Sequence, residues 1–486
     1  MSQLVIDIGT SGLRSLVVRP DATTTAEHHT RMPPSSPFQG AVEFDAAAMA
    51  GAALALARRS MAEAGPVRGV GITNQRASTI VWDRATGEPV APGVGWQDLR
   101  TAGMCLMLQA RGIRVAPNAS ATKLAYLLDL ADPGRTRDLC FGTVDTWIAW
   151  HLSEGSLHVT DASNAAVTGL TRLAEGTGAL EWDPELLRAL NIPPSVLPTI
   201  VDSCGVLGPA SALDGAPPIA GIAGDQQSSL VGQGCVRAGM AKITFGTGGM
   251  LDVCVGQAQP SIIGRGEAGT FPIVAWQNAG RIVWGVEAIM LSAGTCVEWL
   301  HDDLGVIDSP ADSASVAGRC ETSGDGWFVP ALLGLGAPVW DYGARGTLLG
   351  LTRGTGRPEL VRAVLEGVAH RGADLVEAAE ADAGLAIGAL RVDGGMTANP
   401  VFLQALADAT QRPVEVSPVL EATALGAGFL AGVATGTWDS VEALEGTWKP
   451  RLTVDPRPGS SNDRERWLDA RGRSQGWLPD LSALDF

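Results

Sequence analysis

Basic residues are scarce in this chain of 486 residues, and lysine occurs only at positions 123, 242 and 449. Lysine and arginine together number 35 against 52 aspartates and glutamates, so the formal net charge is −17. Nucleic acids and anionic membranes attract basic surfaces, so neither is expected as a partner. A bound phosphate group would have to be held by arginine, backbone N–H groups and a metal ion.

Cysteine is also sparse, and the seven cysteines form no C-x-x-C pair. Such scattered positions are typical of reduced thiols and argue against a disulfide framework or a cysteine-ligated zinc site. The sequence has no apolar run long enough to predict a membrane-spanning helix, and no charged leader followed by an apolar segment. We therefore expect a cytoplasmic protein.

The chain is too long for one ordinary hydrophobic core, so two or three domains are expected. Hydrophobic residues make up 45% of the sequence and charged residues 18%, which is typical of a well-buried globular protein. Strand-like and helix-like segments alternate, which favours an α/β fold. The proline-rich segment 193–218 is predicted to be a linker, and the segment 286–304 is predicted to be helical.

Two similar hairpins are predicted, at residues 6–13 and 243–250, each with a turn rich in glycine and hydroxyl groups. Successive N–H groups in such a turn form a concave anion site, and glycine allows oxygen atoms to approach the backbone closely. The repeat predicts two similar domains, residues 1–235 and 236–486, each with a phosphate-facing hairpin. Chance similarity between two short turns is the alternative.

Asp225 is the acid whose position most suggests catalysis. An apolar segment at 218–222 is predicted to be a strand, and it leads into Gly224-Asp225-Gln226-Gln227. A carboxylate at the end of a strand can act as a base in a cleft, whereas the simpler alternative is a solvated loop acid. Asp7 ends the first predicted strand, where its buried charge would be costly unless it faced Mg²⁺ or water.

Other familiar motifs are absent or incomplete. There is no G-x-x-x-x-G-K-[ST], so the chain is not a P-loop protein. One G-x-G-x-x-G occurs at 264–269, but a predicted strand follows it, whereas a dinucleotide site needs a helix there. The segment 120–123 matches S-x-x-K without a companion motif, and Lys123 is equally well explained as a surface residue.

Several longer segments resemble a known family, in the right order along the chain. They are residues 7–11, 71–76, 143–147, 159–165, 221–233, 246–248, 334–341, 346–366 and 391–395. On these segments the chain resembles the FGGY family of carbohydrate kinases, and within it the glycerol kinases. The resemblance implies two actin-like, RNase-H-like domains with a catalytic cleft between them. It also implies that ATP and Mg²⁺ lie across the cleft and that a small polyol or sugar binds mainly to the first domain.

The resemblance implies roles for individual residues as well. It makes Asp225 the general base and a metal ligand together with Asp7. It implies contacts with ATP for Thr10, Ser11, Gly12, Arg14, Thr247, Gly294, Glu298, Gly395 and Asn399. It implies contacts with the phosphate acceptor for Arg76, Ala77, Trp96, Asn118, Asp225, Gln226 and Met250. Glu298 departs from the pattern, because glycerol kinases usually carry Gln there.

The acceptor wall departs from the glycerol kinases at three positions. Ala77 replaces a Glu that binds a glycerol hydroxyl, Asn118 replaces a Tyr, and Met250 replaces a Phe. Ala77 cannot accept a hydrogen bond and the other changes shrink or soften the wall, so we expect an acceptor larger than glycerol. The alternatives are a glycerol kinase proper and an actin-like nucleotide-binding switch without phosphoryl transfer. Assembly into a homodimer or a homotetramer is left open.

Overall fold

The first half of the chain forms a sheet of five strands with helices packed on it. The structure is a computed structural model and describes residues 1–262, 264–419, 421–460 and 463–484. The elements of this half are β1 (Gln3–Ile8), β2 (Gly12–Val18), β3 (Thr24–Arg31), β4 (Glu43–Phe44), α1 (Ala46–Ala64), β5 (Gly69–Asn74), β6 (Ile80–Asp83), β7 (Gly93–Val94), α2 (Ala102–Gln109), α3 (Ala121–Ala131), β8 (Leu139–Gly142), α4 (Val144–Leu152), β9 (Val159–Asp161), α5 (Ala162–Ala166), β10 (Thr171–Leu173), β11 (Leu180–Trp182), α6 (Pro184–Ala189), β12 (Thr199–Val201), β13 (Cys204–Pro209), β14 (Pro218–Gly224) and α7 (Asp225–Gly232). The five strands follow the order β3-β2-β1-β5-β14, and β1, β5 and β14 run parallel.

The second half repeats this arrangement. Its elements are β15 (Ala241–Phe245), β16 (Gly249–Gly256), β17 (Phe271–Asn278), β18 (Arg281–Met290), α8 (Gly294–Glu298), α9 (Asp312–Ala317), β19 (Trp327–Val329), β20 (Thr347–Leu349), α10 (Arg357–Ala383), β21 (Leu390–Asp393), α11 (Pro400–Thr410), β22 (Val414–Val416), α12 (Ala422–Ala434), β23 (Leu452–Val454), α13 (Arg464–Arg473) and α14 (Pro479–Ser482). Strands β15, β21 and β22 run parallel, and β16 and β18 continue the sheet antiparallel on the other side of β15. The order β18-β16-β15-β21-β22 therefore matches β3-β2-β1-β5-β14 strand for strand, as expected for an α/β fold with two RNase-H-like halves.

The segment 193–218 is not a linker, and that prediction is wrong. It contains a 3₁₀ turn at Pro194–Val196 and the strands β12 and β13. Strand β13 pairs with β14 and also meets β17 through the pair Cys204 and Asn278, so the two halves join in one 13-stranded sheet. Proline is compatible with strand ends and edges, where its missing N–H group is not needed, and proline content alone was therefore misleading.

The predicted helix at 286–304 is also wrong over its first part. Residues 286–290 complete strand β18, whose two sides pair with β16 and β17. Only Gly294–Glu298 is α-helical, and a π-helical turn continues it to Asp303. Pairing with a strand on each side outweighs the local helical preference of this segment. The strand after the G-x-G-x-x-G motif is confirmed as β17, so that motif lacks the helix that a dinucleotide site requires.

Two helices cross where the halves meet. Helix α7 follows the last strand of the first half, helix α12 follows β22 of the second half, and the two pack against each other. A Cβ atom added to Gly426 of α12 would collide with the backbone oxygen of Ser228. One added to Gly232 of α7 would collide with the backbone oxygen of Ala422. The helices therefore touch backbone to backbone, and glycine makes that approach possible.

Each half has its own hydrophobic core, and a third apolar cluster lies at the helix crossing. In the first half, helix α1 covers β2 and β3, and Asp45 begins it by accepting a hydrogen bond from Ala48 N at 2.9 Å. In the second half, helices α10 and α11 pack together beside β18. Among the residues described, no helix is both long and apolar enough to span a membrane.

Candidate active site

Asp7 and Asp225 lie together at one edge of the first sheet. Asp7 is near the end of β1, and Asp225 begins helix α7 directly after β14. Strands β1, β5 and β14 are parallel neighbours, so their carboxyl ends meet at this edge. Burial raises the pKa of Asp7 to about 7, with the Arg14 charge opposing and the Asp225 charge adding to this rise. The two acids that sequence reasoning singled out therefore sense each other's charge.

Asp225 has the surroundings of an accessible, ionisable base. Its side chain is 31% exposed, and its Oδ1 accepts a hydrogen bond from the backbone N–H of Gln226 at 2.8 Å. Arg76 Nε lies 3.4 Å from the same oxygen. Burial raises the pKa of Asp225, and the Arg76 charge acts against that rise. The carboxylate is thus poised to accept a proton from a group that enters the cleft.

Arg76 links the two halves of the molecule. Besides approaching Asp225, its Nη2 forms an ion pair with Glu287 Oε2 of strand β18 at 2.7 Å. Both side chains are largely buried, and burial raises the pKa of Glu287 while the Arg76 charge lowers it. The arginine predicted to contact the acceptor is therefore also the electrostatic bridge across the cleft.

Sequence reasoning missed three charged residues of this cluster: Lys242, Asp252 and Glu287. They stand opposite one another on the neighbouring strands β15, β16 and β18. Because side chains alternate along a strand, Lys242 shares a face with Thr244 and not with the apolar Ile243. That alternation, together with an acid inside the apolar strand β16, was a usable signal, since a buried acid needs a partner.

A buried hydrogen-bond network supports the strand ends beneath Asp225. The backbone N–H of Gly224 donates to Ser163 Oγ at 3.0 Å, and Ser163 in turn donates to Asp161 Oδ1 at 3.0 Å. Ser203 donates to the other oxygen of Asp161 at 2.6 Å. This network fixes the residue that precedes Asp225.

Two of the residues predicted to contact the acceptor are tied to neighbouring segments of the first half by hydrogen bonds. Trp96 Nε1 donates to Thr10 Oγ1 at 3.2 Å, which ties Trp96 to the first hairpin. Ala77 is buried with a left-handed φ of 60°, and its carbonyl accepts a hydrogen bond from Ser120 Oγ at 2.9 Å. Asn118 is exposed, and Met250 lies half-buried on β16 of the other half.

Lys123 is not a surface residue, and that interpretation is wrong. Its side chain is fully buried, and its Nζ donates to the carbonyl oxygens of Trp96 and Asn118, each at 3.0 Å. Burial lowers the pKa of Lys123 to about 7, although the Asp98 charge acts in the opposite direction. Lys123 therefore fixes the backbone at two residues that are predicted to contact the acceptor.

Replacing Lys123 with Met is expected to raise the KM for the acceptor and to change the pH dependence of stability. In the unfolded chain the lysine has its ordinary pKa of 10.5, whereas in the folded chain the pKa is about 7. Between these values the unfolded chain binds more protons, so this group makes the wild-type protein more stable as pH rises. Urea unfolding at pH 7 to 10 should show the wild-type free energy of unfolding rising relative to Lys123→Met. Parallel curves for the two proteins would contradict this assignment.

The first hairpin closes through a tight turn that contains glycine. The N–H of Gly9 donates to the Gly12 carbonyl at 2.9 Å, and a Cβ on Gly12 would lie 2.7 Å from Thr30 O. Ser11, at the tip, is exposed. Arg14 forms ion pairs with Glu27, at 3.2 Å, and with Glu421 at the start of α12. A phosphate group at this turn would compete with those two carboxylates for Arg14.

The second hairpin is joined to Gly294, one of the residues predicted to contact the nucleotide. The N–H of Gly294 donates to the Gly246 carbonyl at 2.9 Å, and a Cβ on Gly294 would lie 2.6 Å from that oxygen. Thr247 is exposed, and its carbonyl accepts a hydrogen bond from Thr295 Oγ1 at 2.7 Å. This turn is shorter than the first, because Phe245 pairs with Gly249 across it.

The remaining predicted nucleotide residues lie on other elements of the second half. Glu298 is exposed at the end of α8, and Gly395 is exposed at the start of a 3₁₀ turn. Asn399 caps helix α11: its Oδ1 accepts hydrogen bonds from the next two N–H groups of the helix, and its Nδ2 donates to Ser313 Oγ at 3.0 Å. Both polar ends of the Asn399 side chain are therefore engaged within the protein.

The surroundings of Asp7 fit a divalent cation. Within the described part of the chain, no group donates a hydrogen bond to its carboxylate, and burial makes its charge costly. Mg²⁺ typically binds one or two carboxylates together with substrate phosphates and water. Asp7 and Asp225 are two such carboxylates near the first hairpin.

Both halves of the chain match one family of proteins. Residues 2–232 match the N-terminal domain of the FGGY family of carbohydrate kinases, and residues 241–435 match its C-terminal domain. A glycerol kinase of Aromatoleum aromaticum is 40% identical over 500 residues, covering 98% of this chain and 99% of that protein. A glycerol kinase of Trichlorobacter lovleyi is 41% identical over 497 residues, covering 98% of this chain and 99% of that protein. The crystal structure of Plasmodium falciparum glycerol kinase with ADP matches with a TM-score of 0.88 at 26% identity, covering 100% of this chain and 99% of that chain.

Proposed function

This chain belongs to the FGGY family of carbohydrate kinases, and from that premise we propose that it transfers the γ-phosphoryl group of ATP to a terminal hydroxyl of a small polyol. The observation that carries the proposal is the partly exposed carboxylate of Asp225, held beside Arg76 at the strand ends of the first sheet. A nucleotide switch without phosphoryl transfer would have no use for such a base.

Asp225 takes the proton of the attacking hydroxyl in this proposal. Phosphoryl transfer requires in-line positioning and neutralisation of phosphate charge more than covalent work by the protein. Arg76 keeps Asp225 ionised and orients it, and the N–H groups of the two hairpin turns bind phosphate oxygens. Mg²⁺, when held by Asp7 and Asp225, supplies further neutralisation of the phosphate charge.

We assign acceptor binding to residues 1–235 and nucleotide binding mainly to residues 236–486. The nearly identical strand order of the two halves supports a boundary after α7. The acceptor wall at Trp96 and Ala77 lies in the first half, and the second hairpin with Gly294 lies in the second. The ADP complex named for the Plasmodium falciparum enzyme supports a nucleotide as the common ligand.

Glycerol is the first acceptor to consider, because the relatives at about 40% identity are named glycerol kinases. A polyol or keto-sugar larger than glycerol is the second candidate. It is favoured by Ala77, where the wall presents a methyl group in place of the carboxylate that glycerol kinases use. The left-handed backbone at Ala77 strains any side chain with a Cβ to a similar extent, so Ala and Glu can be exchanged there with little change in backbone strain.

Measuring kcat/KM with glycerol, erythritol, xylitol and five-carbon ketoses distinguishes the two candidates. If the acceptor is glycerol, kcat/KM falls as the chain lengthens. If it is larger, a longer polyol or a ketose exceeds glycerol, and Ala77→Glu shifts the preference toward glycerol by roughly 5- to 150-fold, the value of one hydroxyl contact. Absence of turnover with every acceptor, by protein that binds ATP, would overturn the kinase proposal.

A further inference from the structure

A fully buried ion pair lies beside Gln226, one of the residues proposed to contact the acceptor. Lys242 on β15 and Asp252 on β16 stand opposite each other, with 2.7 Å between Nζ and Oδ2. Neither side chain has any exposed surface. Isolated buried charges are strongly unfavourable, so the carboxylate of Asp252 keeps the ammonium of Lys242 in place.

The ammonium group of Lys242 faces three partners, namely the carboxylate of Asp252 and two hydrogen-bond acceptors. Besides Asp252, it donates to Gln226 Oε1 at 2.6 Å and to Thr244 Oγ1 at 3.1 Å. An ammonium group can donate but cannot accept, so the amide atom of Gln226 that faces it has to be the oxygen. The NH₂ group of Gln226 is therefore turned away from Lys242.

Gln226 is the residue next to the proposed base. It is half-buried, and among the described residues no protein group accepts a hydrogen bond from its NH₂ group. Its backbone N–H is already occupied by Asp225 Oδ1 at 2.8 Å. The side chain thus offers the cleft a donor whose orientation is set from the other half of the molecule.

We propose that Lys242, held by Asp252, is a positioning residue that fixes Gln226 as a hydrogen-bond donor to an oxygen of the phosphate acceptor beside Asp225. This inference rests on the proposed kinase function. In this proposal Asp225 accepts the proton of the reacting hydroxyl, and Gln226 donates a hydrogen bond to a neighbouring oxygen of the acceptor. Acceptor recognition also depends on the contact between the two halves, because Gln226 lies in the first half and Lys242 in the second.

Two variants test the proposal with the full chain and the best acceptor of the series above, beginning with glycerol. Gln226→Glu keeps an oxygen toward Lys242 but replaces the donating NH₂ group, so the acceptor KM should rise at least about tenfold. The double variant Lys242→Met with Asp252→Leu removes both buried charges together and leaves neither unpaired, so it should fold. It frees the amide to rotate, and its acceptor KM should also rise severalfold or more. In both variants the KM for ATP should stay within about twofold of the wild-type value.

The split between the two KM values separates positioning from a merely structural role. A structural role predicts a lower Tm in the double variant and no selective change in acceptor binding. The proposal would be overturned if either the double variant or the Gln226→Glu variant kept the wild-type KM for the acceptor. If the wild-type protein turns over no acceptor, the kinase function itself fails. That result is distinct from an active wild type whose variants keep normal acceptor binding.

Discussion

Asp225→Asn is expected to lower kcat by roughly 10²- to 10⁴-fold, the usual contribution of a general base. Asn has the shape of Asp and can still accept the backbone N–H of Gln226, so the start of α7 should be retained. What it loses is the ability to take a proton from the attacking hydroxyl. The variant should still bind ATP, because Asp7 and the turns proposed to bind phosphate are unaltered.

The pH dependence of kcat/KM gives this prediction a second readout. The base must be ionised, and burial raises its pKa above the ordinary value of 3.8. Activity should therefore begin to fall, as pH decreases, at a higher pH than for an ordinary aspartate. Asp225→Asn should lose this acid limb, whereas the exposed Asp21, changed to Asn, should leave both kcat and the profile unchanged. An Asp225→Asn enzyme that retains more than a tenth of the wild-type kcat would contradict the assignment.

Gly426→Ala is expected to destabilise the protein by about 3 kcal/mol or more, despite the higher helix propensity of Ala. The added methyl group would collide with the backbone oxygen of Ser228, which no rotation of a side chain can relieve. Helices α7 and α12 would have to separate, and Asp225 at the start of α7 would move with them. Thermal unfolding should show a lower Tm, and kcat should fall in the remaining folded protein.

Gly51→Ala is the matched control for that substitution. Gly51 lies within helix α1, is exposed, and has no atom within 4 Å of an added Cβ. The same chemical change should therefore stabilise the protein, by up to about 1 kcal/mol, because only helix propensity acts. Equal effects of the two substitutions would show that the backbone contact between α7 and α12 is unimportant.

The hairpins and the position of Asp225 could be predicted from the sequence because local patterns determine them. An apolar strand that ends in glycine and is followed by an acid predicts where β14 ends and which side chain stands at its end. The repeat between residues 6–13 and 243–250 then carried information about the whole architecture, since one hairpin starts each half of the sheet.

The sequence signals a buried acid in β16, but bringing Glu287, Lys242 and Asp252 together requires the pairing of β15, β16 and β18, which local patterns do not determine. Residues 286–290 have a local preference for helix, and only pairing with β16 and β17 makes them a strand. Because the segment was predicted to be a helix, Glu287 was not assigned to the sheet and was therefore not recognised as a residue of the site. Lys123 was missed for a related reason, because its two carbonyl partners come from separate loops.

The most direct test of the proposed chemistry uses ³¹P NMR to monitor a mixture of the wild-type enzyme, ATP and Mg²⁺ with glycerol. The longer polyols then replace glycerol one at a time. We predict a phosphomonoester signal that grows in step with ADP, and that nearly vanishes with Asp225→Asn. ATP bound without a phosphomonoester from any acceptor, or a product formed equally fast by Asp225→Asn, would contradict transfer to a hydroxyl activated by Asp225.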